Sequence, residues 1–361
     1  MDRVERVREK MREHAVDGLL LTNFEEGRVN IRYLTGFTGS ASACLISEDA
    51  LTFVTDTRYA TQALEEVQKR DERWDVIIDR DELGFIAKLA ESRGIKRLGL
   101  VKSEESWGTV IGLNDTLDSC ELVALPNIVG EVREVKDDGE VERIQKAVIE
   151  MEGVLRHIFT LIRPGVSDRE LATELKIALM RRGLEVSFSP IIVSGAHSAI
   201  IHGNPFELPY KEVAEGDIIQ FDVGCMVDGY ASDISRVAVC GVATGHQRKM
   251  HAALIRAISE SKKSYKPGVN FWDVHKQAQK IIEEEGFPPF EHGLGHGLGM
   301  EVHDPFVHPR IFKVGNVVTL EPGTYKKGYG GMRIERDVLI TKSGSRYLDR
   351  LTTTLKEVPI K

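Results

Sequence analysis

A duplication constrains this chain more than any other feature. Residues 163–183 read RPGVSDRELATELKIALMRRG, and residues 266–286 read KPGVNFWDVHKQAQKIIEEEG. Each copy opens with a basic residue, Pro, Gly, Val and a good helix N-cap, Ser167 or Asn270. Each closes on a glycine suited to the position just past a helix, Gly183 or Gly286. Pro and Gly lie 19 residues apart in both copies, and the copies are offset by 103. Ser167 and Glu170 also have capping-box spacing. A long helical segment precedes each copy, at 141–162 and 247–264, and strand-like runs follow it. The first runs are GDIIQFDVG (216–224) and GNVVTLEPG (315–323), with Asp222 and Glu321 at the same step in each. Further on, Asp233 opens ISRVAV and Glu335 opens RDVLI. The repeat therefore predicts two similar halves, each with two helices and a two-strand ribbon carrying one acid per strand. Folding each ribbon back brings its two acids together. Pairing the halves about a pseudo-twofold brings together all four.

Four carboxylates in apolar strands need a counter-charge, because burying an unpaired charge costs several kcal/mol. Two divalent cations would bring the four negative charges to zero. Oxygen-rich ligation with one imidazole favours Mn, Co, Fe or Zn over a thiolate zinc site. For the imidazole, His292, His296, His303 and His308 fall within 17 residues of a chain with 11 histidines. His296 stands between Gly295 and Gly297, where backbone can approach closely, and is the first candidate. His202 (in IHGNP), His303 and His292 are further candidates, and His308 reads as a surface residue.

The amino-terminal third alternates helix and strand. Val4, Val7, Met11 and Ala15 have helical spacing; 18–22, 43–46, 51–55, 76–78 and 97–101 read as strands; 57–69 and 83–92 read as helices. This is an α/β unit without a cluster of chemically capable residues, read as a scaffold or dimerisation unit. The pattern breaks in the charged stretch EVREVKDDG. The expected organisation is a first domain over 1–130, a linker over 131–139 and a second domain over 140–361.

A net charge of −8 argues against a nucleic-acid partner, which needs a basic face, and against a polybasic membrane binder. No run approaches the ~18 apolar residues of a membrane span. MDRVERVREKMREH lacks the apolar core of a signal peptide. Cys44, Cys120, Cys225 and Cys240 show no CxxC spacing and read as reduced thiols of a cytoplasmic protein.

The strings IHGNP, FDVGCMVDGYASDISR, HGLGHGLGMEVHD, TLEPGTY and GMRIE resemble the methionine-aminopeptidase and prolidase superfamily, peptidase family M24, with its "pita-bread" fold. NIRYLTGFTGS and TDTRYATQA resemble the amino-terminal domain of the Xaa-Pro dipeptidases and Xaa-Pro aminopeptidases. The resemblance implies a two-domain α/β (α+β) protein, with a creatinase-like first domain and a pseudo-twofold catalytic domain. It implies a dinuclear site ligated by Asp222, Asp233, His296, Glu321 and Glu335, with manganese first among the candidate metals, and a bridging hydroxide that attacks the bond before proline. Glu321 would shuttle the proton. His202 and His303 would hydrogen-bond the substrate and the tetrahedral intermediate. His292 and Arg333 would line the substrate pocket, with Arg333 either balancing the ligand carboxylates or binding a substrate carboxylate. A homodimer is also implied. Where relatives often carry an acid after RIE, this chain has Arg336 and then Asp337. The alternatives are a non-peptidase relative, whether creatinase-like hydrolase or binding module, and a methionine aminopeptidase. Relatives of the first kind usually lose acidic ligands, and the second generally lacks the amino-terminal domain. Dipeptidase and aminopeptidase activity are both open at this level.

Overall fold

The structure is a computed structural model that describes residues 2–24 and 29–360. The chain divides into two compact units, Met1–Arg133 and Glu134–Lys361.

The first unit is built on one six-stranded sheet. Its elements are α1 (Arg3–Glu13), β1 (Gly18–Phe24), α2 (Val29–Thr35), β2 (Ala41–Ser47), β3 (Leu51–Thr55), α3 (Ala60–Ala63), β4 (Trp74–Ile78), α4 (Glu82–Ser92), β5 (Arg97–Val101), α5 (Trp107–Thr116), β6 (Glu121–Leu125) and α6 (Ile128–Arg133). The strand order is β4-β3-β2-β1-β5-β6. The β1–β2 and β2–β3 pairs are antiparallel, and the other three are parallel. The apolar face of α1 buries Val4, Val7 and Met11, as the spacing predicts. The helix expected over 57–69 is less regular. It starts as a 3₁₀ turn at Thr57–Tyr59, passes through α3 and widens into a π turn at Leu64–Gln68.

The stretch 131–139, expected as a linker, instead holds the ends of two helices. α6 runs to Arg133, and α7 starts at Asp138. Its interspersed charges hid the pattern: Ile128, Val129 and Val132 are buried, and so is Arg133, whose guanidinium donates to Asn30 Oδ1 at 2.8 Å. Asp137 then caps α7 in a full capping box with Glu140.

The second unit comprises α7 (Asp138–Phe159), α8 (Asp168–Met180), β7 (Glu185–Val186), β8 (Ile191–Ser194), β9 (Ile218–Val223), β10 (Cys225–Val227), β11 (Tyr230–Ala231), β12 (Ile234–Cys240), α9 (Gly245–Lys262) and α10 (Phe271–Glu284). It continues with β13 (Val317–Leu320), β14 (Gly323–Lys326), β15 (Gly330–Arg333), β16 (Arg336–Thr341), β17 (Gly344–Tyr347) and β18 (Lys356–Val358). Helices α8 and α10 are the two repeat copies. Ser167 and Asn270 cap them, and Gly183 (φ 70°) and Gly286 (φ 83°) follow them. The duplication extends to individual hydrogen bonds. Gly165 N donates to Val213 O and Val213 N to Val166 O; in the second half Gly268 N donates to Phe312 O and Phe312 N to Val269 O. In the first half β9 lies between β8 and β12, and in the second β13 pairs with β16. Both central ribbons are antiparallel. Phe271, Phe290, Phe312 and Tyr265 fill the core beneath the second ribbon.

Ser167 Oγ accepts from Glu170 N, and Glu170 Oε2 accepts from Ser167 N at 2.7 Å. Ser167→Ala is expected to lower stability by about 1 kcal/mol. The loss would be read as a lower urea midpoint at unchanged slope.

Candidate metal centre

The two ribbons deliver the acids predicted from the repeat to one place. Asp222 is on β9, opposite Ser235 of β12, and Asp233 is the residue just before β12. Glu321 follows β13, and Glu335 stands between β15 and β16. The halves cross-connect here. Glu335 N donates to Ser235 O at 3.2 Å, and Ser235 Oγ to Glu335 Oε2 at 3.0 Å. Asp337, two residues beyond Glu335, accepts from Asp233 N at 3.4 Å. Arg336 instead turns to Asp349 (2.9 Å) and stacks over Tyr347.

His296 arrives on a glycine-rich segment laid along β13. Thr319 N donates to His296 O at 2.9 Å, and Thr319 Oγ1 accepts from His296 N at 3.0 Å. Gly295 is required for this approach, since a Cβ there would lie 2.2 Å from Thr319 O. The Nδ1 of His296 faces Gly297 O at 3.0 Å, which places its proton there and leaves the Nε2 lone pair inward. Nε2 lies 3.5 Å from Asp233 Oδ2 and 3.6 Å from Glu321 Oε1. Those separations exceed a hydrogen bond and suit donors arranged around a shared cation.

Three observations fit a metal. Donor atoms of Asp233, His296 and Glu335 all lie within 4.8 Å of one another. The Oδ1 atoms of Asp222 and Asp233 are buried without a hydrogen-bond partner. Finally, burial, reinforced by the neighbouring acids, holds the carboxyls of Asp233 and Glu335 well above the usual carboxylate range. Such a cluster is under-compensated by protein groups alone. Among the described residues, the buried cation paired with one of these carboxylates is Arg333, which meets Asp222.

These residues line a cavity of about 1180 Å³, together with His202, His292 and His303. His202 and His303 are exposed on its wall, and the His303 ring lies 4.3 Å from that of His296. His292 is held differently. Its Nδ1 faces Gly293 O at 2.7 Å and its Nε2 meets the Tyr325 hydroxyl at 2.9 Å. Burial lowers the His292 pKa. Burial also pushes the Tyr325 hydroxyl up to about 12, so it stays protonated and donates to His292. Tyr325 in turn accepts from Arg333 Nη1 at 3.0 Å. Arg333 thus sits among Asp222, Tyr325 and Ser235.

Sequence reasoning missed Arg310, which lines the cavity, and Tyr325, which buttresses His292 and Arg333. Arg310 lies over the rings of Phe271, Trp272 and Phe306 at 5.7, 5.3 and 5.8 Å and has no carboxylate partner among the described residues. Its Nε is buried without a hydrogen bond. The repeat held a signal for its position: Arg310 O accepts from Phe271 N as Lys211 O accepts from Asp168 N in the first half. Tyr325 lies inside TLEPGTY, but its partners are distant in sequence.

Comparison with known proteins agrees with this geometry. Residues 142–342 match metallopeptidase family M24, and residues 3–135 match the creatinase/prolidase N-terminal domain. The chain is 33% identical over 351 residues to the uncharacterized peptidase YqhT of Bacillus subtilis, covering 95% of this chain and 96% of the relative. Its structure is similar to an Xaa-Pro dipeptidase from Bacillus anthracis (TM-score 0.91, 29% identity, 99% of both chains). It is similar also to an X-Pro aminopeptidase from Thermotoga maritima (TM-score 0.89, 31% identity, 99% of this chain and 100% of the other). Duplicated ribbons, a carboxylate–imidazole cluster under-compensated by protein cations and these matches lead to one assignment: the chain belongs to metallopeptidase family M24, with a creatinase/prolidase amino-terminal domain, and is a metal-dependent hydrolase.

Proposed function

We propose that the protein is a proline-specific exopeptidase that hydrolyses the bond between an amino-terminal residue and a following proline. The observation that carries this reading is the convergence of Asp222, Asp233, His296, Glu321 and Glu335 at one cavity, in a chain that covers both domains of relatives named Xaa-Pro dipeptidase and X-Pro aminopeptidase. Asp222 and Asp233 would hold divalent metal from the first half. Glu321 and Glu335 would hold it from the second, and His296 through Nε2. We assign two ions to the site, with manganese the first candidate. Such ions supply Lewis acidity toward the scissile carbonyl and a water acidic enough to react near neutral pH.

The chain's own groups do the rest. Thr319 Oγ1 lies 3.2 Å from Glu321 Oε1 and steadies the carboxylate that would pass a proton to the leaving proline nitrogen. His202 and His303 stand on the wall where they can donate to substrate and to the oxygen that gains charge. Arg333 and Tyr325 hold His292 and Asp222 in place. Arg310 supports a dipeptide as the preferred substrate. The proline carboxylate of Xaa-Pro is free and charged, whereas in Xaa-Pro-Yaa it is an amide, and an unpaired guanidinium in the cavity favours the former. The four free thiols support a reducing, cytoplasmic setting. Among the described residues no helix is long and apolar enough to cross a membrane. Exposed Trp107 and Ile111, one turn apart on α5, support assembly as a homodimer.

The test is hydrolysis of Ala-Pro, Ala-Pro-Ala and Met-Ala-Ser by protein stripped and reloaded with Mn²⁺ or Co²⁺, with products identified. Release of alanine from the proline peptides, lost on chelation, is expected. Loaded protein that cleaves neither proline peptide overturns the reading, and cleavage of Met-Ala-Ser alone replaces it with methionine aminopeptidase. Arg310→Ala should raise KM for Ala-Pro roughly tenfold or more, and for Ala-Pro-Ala far less.

A further inference from the structure

Lys136 and Asp304 form a buried ion pair beside the cavity, and the reaction described above uses neither. Lys136 Nζ lies 2.9 Å from Asp304 Oδ2, with the side chains 2% and 1% exposed. A buried pair contributes little net stability, because both ions lose their hydration. What it can supply is a single fixed geometry.

Asp304 closes a turn, residues 297–304, that leaves the segment carrying His296 and returns to it. Asp304 N donates to Gly297 O at 2.9 Å, and Asp304 Oδ1 accepts from Glu301 N at 3.3 Å. The carboxylate is packed against Gly299, where a Cβ would lie 2.5 Å from Oδ2. His303 is the residue before Asp304 on this turn. The turn has further attachments toward the metal ligands at its near end: Leu298 N donates to Val317 O on β13 at 2.9 Å, and Ala231 N donates to Gly299 O at 2.8 Å, just ahead of Asp233. Lys136 is anchored on its own side. Its N–H donates to Gly315 O at 2.9 Å, and Asn316 Nδ2 donates to Glu134 O at 3.0 Å, immediately before β13. The Lys136 side chain therefore ties the turn that bears His303 to the start of the strand that delivers Glu321.

We propose that Lys136 is a positioning residue: through Asp304 its ammonium holds the turn 297–304, and with it the His303 imidazole, in register with the metal ligands. A glycine-containing turn loses much conformational freedom when ordered, so without this tether His303 would sample many positions around the productive one. The kinetic part of the test rests on the Xaa-Pro reading; the exchange part does not.

Three variants are compared with the parent protein at measured, equal Mn²⁺ occupancy. Lys136→Met removes the ammonium that faces Asp304, Lys136→Arg keeps the charge, and Lys136→Met with Asp304→Asn removes both charges. Lys136→Met should lower kcat on Ala-Pro about 10- to 100-fold, the range of outer-shell substitutions, with KM within about twofold. Lys136→Arg should restore part of kcat. The double variant should regain thermal stability without regaining kcat. Amide hydrogen exchange at residues 299–304 should quicken in both Met variants. Recovery of kcat together with Tm in the double variant would make the pair purely structural and overturn the proposal. Unchanged exchange in the turn of Lys136→Met would overturn it too, as would a kcat loss explained by lost metal. If the parent protein cleaves no proline peptide, the functional reading fails, and the exchange measurement still decides whether Lys136 tethers the turn.

Discussion

Asp233→Asn is expected to reduce kcat/KM on Ala-Pro by roughly a thousandfold or more, and at the same time to raise the Tm of the metal-stripped protein. Both halves follow from the same geometry. Asp233 is 5% exposed, and its Oδ2 lies 3.5 Å from His296 Nε2. Burial and the charges of Asp222, Asp337 and Glu321 hold its carboxyl well above the usual range. Without metal, the ionised Asp233 is a buried charge among like charges, and an amide of the same shape relieves that repulsion. With metal, the same amide is a neutral donor where an anion is required. Metal should itself stabilise the parent protein, by about 2.7 kcal/mol at a hundredfold excess over Kd, and the variant far less. Thermal melts with EDTA and with Mn²⁺, alongside the Ala-Pro assay, check all of this. A stripped variant that melts below the stripped parent would show that the cluster is not under-compensated. A variant with parental activity would remove Asp233 from the ligand set.

What the sequence discloses depends on how local the physical demand is. The duplicated helices were legible because a cap, a Pro-Gly entry and a glycine exit are set by the backbone within a few residues, and Ser167, Asn270, Gly183 and Gly286 carry those demands. Asp222 and Glu321 were legible because a carboxylate inside an aliphatic strand is out of place unless something compensates it. His296 was legible from Gly295, which the close approach to Thr319 O requires. Elements with mixed faces were harder. Strand β6 shows only Leu125 fully buried, so its residues give no clear alternation. Helix α6 was hidden because Arg133 is buried by a hydrogen bond that no local pattern announces. Pairs distant in sequence left no trace at all. Lys136 and Asp304 are 168 residues apart, and Arg236 and Asp349 are 113 apart. Each reads alone as an ordinary surface charge. Arg310 belongs with them, because its environment is made by three rings from other segments.

Asp349→Leu is the substitution expected to cost the most stability, about 3–5 kcal/mol. The Asp349 side chain is fully buried and serves two arginines, with Arg236 Nη2 at 2.6 Å and Arg336 Nε at 2.9 Å. Arg236 is itself 3% exposed and spreads its remaining donors over the carbonyls of Ser235, Glu335, Leu351 and Thr352. Removing the acid leaves those hydrogen bonds in place and strands the positive charge, which is the expensive half of breaking a buried pair. Arg336 loses less, because it is less buried and keeps its stack on Tyr347 at 3.5 Å. For a unit of this size the loss corresponds to a Tm lower by roughly 6–20 °C. Calorimetry of metal-free protein keeps metal binding out of the comparison. The companion variant is Arg236→Met with Asp349→Leu, which replaces the pair by apolar groups and should recover most of the loss. Its remaining deficit belongs to the carbonyls of Ser235, Glu335, Leu351 and Thr352, which lose their Arg236 donors, that of Glu335 having been held by Nη1 at 2.6 Å. The double variant should therefore bind Mn²⁺ about tenfold more weakly than the parent even where its Tm has returned, because the backbone that aims Glu335 has lost its donor. Equal affinity would mean that the second ribbon holds Glu335 unaided.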